Sequence, residues 1–123
     1  MSNDAPVFGR LGVAIVTPFT EDLEAVDHDA LAALARHLVE EGHDLLVANG
    51  TTGESPTTSD EEKLAILATL RETVGREVTI LAGAGSNDTR HSVALARAVE
   101  ESGNADGLLL VTPYYSKPTQ RGL

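Results

Sequence analysis

Four short apolar runs, separated by segments of helical periodicity, constrain this chain more than any other feature. The runs are residues 12–19 (GVAIVTPF), 45–49 (LLVAN), 78–82 (VTILA) and 107–112 (GLLLVT). Each is continuous in apolar character and does not alternate with polar residues, the pattern of strands buried on both faces, as in a parallel sheet. Parallel neighbours need crossovers, and the intervening segments can supply them as helices.

The first such segment runs over residues 27–41. Leu31, Leu34, Ala35, Leu38 and Val39 recur at helical spacing, Asp27 is placed to cap the start, and Gly42 to end the last turn. The second opens at Ser59, three residues before Glu62, which is capping-box spacing. Its expected apolar face is Leu64, Leu67, Ala68 and residues 70–74, and Gly75 stops it. The third begins at Asp88 or Thr89, with Val93, Leu95, Ala96 and Val99 inward and Gly103 after it. The unit of strand plus helix repeats at roughly 32 residues, ordinary for βα folds. We therefore expect an α/β fold of four strands and three helices in one domain, with every strand ending on the same side.

Composition excludes several functions. The chain of 123 residues carries 19 acids against 9 bases, a net charge of -10, and has no basic stripe, which argues against a nucleic-acid partner. No run of about 18 apolar residues is present, so no membrane span is expected. Residues 1–6 (MSNDAP) lack the basic start and apolar core of a signal peptide. Cysteine is absent, which removes disulfides and thiolate metal sites and fits a cytoplasmic location. The histidines at 28, 37, 43 and 91 form no i, i+4 ligand pair, so neither a metal nor another cofactor is expected, and surface positions are the default for all four.

Ligands of parallel α/β folds bind at the carboxyl ends of the strands. Those ends read Thr17-Pro18-Phe19, Gly50-Thr51-Thr52-Gly53-Glu54-Ser55, Gly83-Ala84-Gly85-Ser86-Asn87 and Thr112-Pro113-Tyr114-Tyr115. The second is the most specific. Its glycines let the backbone turn sharply, and Thr51 and Thr52 offer hydroxyls and N–H groups to a carboxylate or phosphate oxygen; the plainer alternative is a Gly-Thr turn whose hydroxyls bond within it. Glu54 is expected to bond loop N–H groups at the head of the next helix. Gly83-Ala84-Gly85 lacks the third glycine and the downstream acid of a dinucleotide fingerprint and is read as a tight strand-to-helix turn. Aromatic residues make up only 3% of the chain, with Phe8 and Phe19 flanking the first strand. Tyr114 and Tyr115 must point to different sides, one packing into the protein and the other reaching the mouth of the sheet. A phenol there can relay protons, and both can equally be packing or interface aromatics.

Taken together, VAIVTPF, GTTGES, AGAG and VTPYYSKPTQRGL resemble the dihydrodipicolinate synthase family (4-hydroxy-tetrahydrodipicolinate synthases) in wording, order and spacing, over residues 10–123. SPTTSDEEK and YYSKPTQRGL are similar to its actinobacterial members in particular. The resemblance implies a (β/α)8 TIM barrel, of which residues 1–123 are the N-terminal half of a single domain. It implies a class I aldolase-type lyase in lysine and diaminopimelate biosynthesis. A lysine on a later strand forms a Schiff base with pyruvate, and the enamine attacks L-aspartate-4-semialdehyde. It assigns Thr51 to the proton relay, Thr52 to the pyruvate carboxylate, and Tyr115 to a relay lent across a tight dimer interface within a homotetramer.

The same resemblance places the Schiff-base lysine, a tyrosine acid-base residue and a substrate-binding arginine beyond Leu123. Lys63 and Lys117, the two lysines present, do not match the nucleophile. A barrel of this kind needs roughly 250 residues, so the chain reads as a fragment expected to be inactive alone. Asn104 reads as a one-residue insertion, and Leu45 stands where relatives often have a small residue. Ser55, Asn87 and Tyr114 match the pattern of a lysine feedback site, but His91 replaces a carboxylate that would grip the lysine ammonium, so weak or absent inhibition is expected. The rivals are N-acetylneuraminate lyase or another 2-keto-acid aldolase and, from a different class, a non-catalytic βα binding module. The Thr51-Thr52 pair and the PYY motif favour the synthase, and the strand ends lack the acids of a receiver domain.

Overall fold

A computed structural model describes residues 6–123; the reading of the first five residues as carrying no leader lies outside them. Four strands, β1 (Gly12–Ala14), β2 (Leu45–Ala48), β3 (Thr79–Gly83) and β4 (Gly107–Leu109), form one parallel sheet in the order β1-β2-β3-β4. Between them lie α1 (His28–Glu40), α2 (Asp60–Val74) and α3 (Thr89–Ser102). Each strand is added at the same growing edge, and right-handed crossovers then place all three helices on one face of the sheet.

The helix boundaries follow from local chemistry. The Asp27 side chain accepts from the Ala30 N–H at the start of α1. Ser59 and Glu62 form a reciprocal capping box on α2. Asp88 accepts from the N–H groups of Arg90 and His91 at the start of α3, which decides between Asp88 and Thr89. Gly42, Gly75 and Gly103 all have positive φ just past their helices.

The core lies between sheet and helices. Leu46, Ala48, Ile80 and Ala82 face Leu31 and Ala35 of α1, Ile66, Leu67 and Leu70 of α2, and Leu95 and Val99 of α3. Each buried leucine or isoleucine contributes about 1.5–3 kcal/mol relative to exposure. Two expected helix faces need correction. In α2 the buried stripe is Lys63, Ile66, Leu67, Leu70 and Arg71, while Ala68 is exposed. In α3 Val93 is 46% exposed.

The strands also differ from expectation. β1 and β4 have three residues each, and β2 alternates between buried and half-buried positions. The face away from the helices has no covering layer among the described residues, which leaves Val16, Leu109 and Val111 exposed. Leu45 is accommodated by Gly12 beside it, since a Cβ on Gly12 would meet Leu45 Cδ2 at 2.7 Å.

At the amino ends of the strands a polar hub ties the layers together. The buried Arg71 guanidinium donates to the carbonyls of Gly75, Val78 and Asn104 and to Asp106 Oδ2 at 2.6 Å. Asp106 Oδ2 also accepts from the Ile80 N–H. Partial burial alone would raise the Asp106 carboxyl, but the Ile80 N–H and the Arg71 guanidinium outweigh it and hold it below the usual carboxylate range. Asp44 is held low in the same way by the N–H groups of Leu11 and Arg10.

Candidate active site

The loop after β2 is held in a defined shape. Asn49 and Glu54, both at φ 58, bracket it in the left-handed region, which L-residues other than asparagine, aspartate and glycine adopt only when the surroundings impose it. Inside, the N–H groups of Gly53 and Ser55 donate to the Gly50 carbonyl, and that of Glu54 donates to the Thr51 carbonyl. Thr17, at the end of the first strand run, donates its Oγ1 to the Gly53 carbonyl at 2.7 Å. A Cβ on Gly53 would meet Thr17 Oγ1 and the Ile15 carbonyl at 3.2 Å, so a glycine lets the two loops approach. Thr51 and Thr52 are exposed, and among the described residues their hydroxyls and N–H groups make no hydrogen bond. The turn therefore uses the N–H groups of Gly53, Glu54 and Ser55 but not the donors of the two threonines.

Lys63, one turn into α2, is the feature that the sequence concealed. It is 5% exposed, and its ammonium donates to the Ser55 carbonyl at 2.9 Å, the Thr58 carbonyl at 2.5 Å and Thr58 Oγ1 at 2.9 Å. Its own carbonyl accepts from Asn49 Nδ2 at 3.1 Å. Burial pulls its ammonium below the usual lysine range, partly offset by the carboxylates of Asp60 and Glu62. The adjacent run Asp60-Glu61-Glu62 gave it the look of a solvated charge. The available signal was its spacing to Ile66, Leu67 and Leu70 on the buried stripe.

A cavity of about 690 Å³ opens at the carboxyl ends of β2, β3 and β4. Asn49, Gly50, Thr51 and Ser55 line one side, Asn87, Asp88 and His91 another, and Leu109, Leu110, Val111 and Tyr114 a third. The glycines Gly83 and Gly85 serve close approach and not a tight turn: neither has a positive φ, a Cβ on Gly83 would overlap the Asn49 carbonyl, and one on Gly85 would fall 2.5 Å from the Val111 N.

The expected site residues divide. Thr51 lines the cavity; Thr52 and Tyr115 do not. Tyr114 reaches the cavity at 45% exposure, while Tyr115, at φ 71, projects outward at 90% exposure. The tyrosines do diverge, but neither is buried and the one at the mouth is Tyr114. Glu54 is exposed and, among the described residues, makes no capping hydrogen bond, contrary to its expected role. His37 and His91 are exposed, and His91 Nε2 pairs with Asp60 Oδ2 at 2.8 Å. His28 and His43 are instead part-buried, bonding Thr69 Oγ1 and the Leu38 carbonyl. Among the described residues no three His, Asp or Glu side chains cluster as metal ligands, and no helix is long and apolar enough to cross a membrane.

The family model of the dihydrodipicolinate synthetase family matches residues 7–123. A 4-hydroxy-tetrahydrodipicolinate synthase of Kineococcus radiotolerans is 61% identical over 116 residues, which is 94% of this chain and 37% of the relative. Two solved structures are similar. The synthase of Cyanidioschyzon merolae with lysine bound superposes with a TM-score of 0.89 at 38% identity, covering 94% of this chain and 39% of that one. The chloride-inhibited synthase of Acinetobacter baumannii complexed with pyruvate gives 0.86 at 43% identity, covering 91% and 38%. The chain thus spans less than half the length of each.

Proposed function

The chain belongs to the dihydrodipicolinate synthetase family, and from that premise we propose that its protein is a 4-hydroxy-tetrahydrodipicolinate synthase, condensing pyruvate with L-aspartate-4-semialdehyde through a Schiff base. Residues 1–123 are, in this reading, the N-terminal half of one (β/α)8 barrel in a cytoplasmic homo-oligomer. The observation that carries it is the loop after β2, which offers the free hydroxyls and N–H groups of Thr51 and Thr52 at the carboxyl end of a parallel strand. Thr52 would grip the pyruvate carboxylate through charge-assisted hydrogen bonds.

Formation of the carbinolamine and loss of water need repeated proton transfers. Thr51 is suited to one step of that relay. Tyr115 is suited to another, lent to a neighbouring subunit; its outward projection supports that placement, since it does not line the cavity that Thr51 lines. The nucleophilic lysine is neither Lys63, whose ammonium is committed to three oxygens, nor the exposed Lys117 after the tyrosine pair.

The test is the protein expressed from its full reading frame, assayed with pyruvate and L-aspartate-4-semialdehyde, together with borohydride trapping of pyruvate followed by mass spectrometry. Turnover and a covalent adduct are expected. Turnover with N-acetylneuraminate or another 2-keto-acid aldol in place of the semialdehyde would overturn the assignment.

A further inference from the structure

Both ends of the substrate loop converge on one residue. At the loop's start, Asn49 Nδ2 donates to the Lys63 carbonyl; at its end, the Lys63 ammonium holds the carbonyls of Ser55 and Thr58 and the Thr58 hydroxyl. Helical side chains lean toward their helix N-terminus, which is the direction from Lys63 back to the turn Ser55–Thr57. All three donors of the ammonium are used. It therefore has no donor left for a ligand, although it borders the cavity. Among the described residues, Asn49 Oδ1 is buried without a partner, so the Asn49 side chain is held by its amide nitrogen alone.

We propose that Lys63 is a positioning residue that clamps residues 49–58 and so sets where Thr51 and Thr52 present their donors; this rests on the reading of that loop as the pyruvate site. A solvated lysine on the outer face of α2 would leave the loop's shape to its own short hydrogen bonds, and the left-handed Asn49 and Glu54 would relax toward commoner conformations. The clamp keeps both in place without touching the ligand.

The experiment compares wild type, Lys63→Met, Lys63→Arg and Thr58→Val in the protein expressed from its full reading frame. Amide hydrogen exchange is read across residues 45–58, and steady-state constants are measured for pyruvate and for the aldehyde. Lys63→Met is expected to speed exchange in residues 50–58 about tenfold while residues 45–48 keep their protection. It should raise the KM for pyruvate about tenfold and the KM for the aldehyde less than about twofold, a split that general loss of stability would not produce. Lys63→Arg should recover most of both effects. Thr58→Val, which removes one acceptor, should give a milder version and serves if Lys63→Met fails to fold.

Unchanged exchange in residues 50–58, exchange raised equally throughout the chain, or a faster loop with unaltered pyruvate KM would each overturn the proposal. If wild type neither turns over nor traps pyruvate, the function assigned above fails; loop-confined exchange would then still support the clamp itself.

Discussion

Gly83 of β3 leaves open the space that the carbonyl of Asn49 occupies at the end of β2. A side chain there would push the start of the loop after β2 away from the neighbouring strand. Gly83→Ala is expected to destabilise the protein by about 2 kcal/mol, as overpacking does, and to lower the urea midpoint accordingly. Gly50→Ala is the control. Its nearest neighbour would be Val47 Cγ1 at 4.0 Å, so stability should stay within about 0.5 kcal/mol.

The two threonines should fail in different ways. On the proposed reading, Thr52→Val removes one hydrogen bond to a carboxylate, worth about 1.5 kcal/mol, and should raise the pyruvate KM about tenfold with little change in kcat. Thr51→Val removes the hydroxyl proposed for the relay and should lower kcat by a factor on the order of 100 while leaving KM nearly unchanged. Equal effects on both constants from both variants would contradict the division of roles.

Tyr115→Phe should lower kcat by a factor on the order of 100. Because Tyr115 is 90% exposed within its own chain, the Tm of a dissociated subunit should not move. Tyr114→Phe, at the cavity, should retain most of the activity. The reverse order would place the relay on Tyr114.

Stability should fall in acid through Asp106 and Asp44. Both carboxyls lie below their unfolded value of about 3.9, so their contribution is complete above that value and is lost as pH falls through it toward the lower folded values. Asp106→Asn should flatten the urea midpoint between about pH 5 and pH 3 relative to wild type. A variant as pH-sensitive as wild type would show that other carboxylates carry the effect.

Lysine should inhibit the full-length protein weakly or not at all. The cavity carries Ser55, Asn87 and Tyr114, but His91 stands at its rim bonded to Asp60, and the Asp88 side chain is engaged in capping α3. A histidine thus stands where a carboxylate would grip an incoming ammonium, and the Asp88 carboxylate is partly committed through its Oδ1 to α3. Half-inhibition at sub-millimolar lysine would refute this.

The features legible in the sequence were those with local causes. Asp27, Ser59 with Glu62, and Asp88 cap their helices because a short polar side chain satisfies orphan N–H groups wherever a helix starts. The four apolar runs gave the strands, and the strand-end rule located the loop of Thr51 and Thr52. Hidden from the sequence were features that depend on a neighbour distant in the chain. Gly83 is a glycine because of Asn49, Lys63 is buried because Ser55 and Thr58 supply its oxygens, and Arg71 is buried because Asp106 and three carbonyls surround it. Charged residues in a run with other charges look solvated until such partners are known.

The strand order carries a kinetic consequence. Because each of the four strands pairs with the one made just before it, none of these three pairings waits for a distant part of the polypeptide. Loop closure within this sheet is then short, and it avoids the entropic delay that slows sheets with scrambled strand orders. During synthesis, each new strand and helix can dock on an edge already formed. The exposed edge at β4, with Leu108 and Leu109, stays adhesive until something pairs with it, so aggregation should track how long that edge is left uncovered.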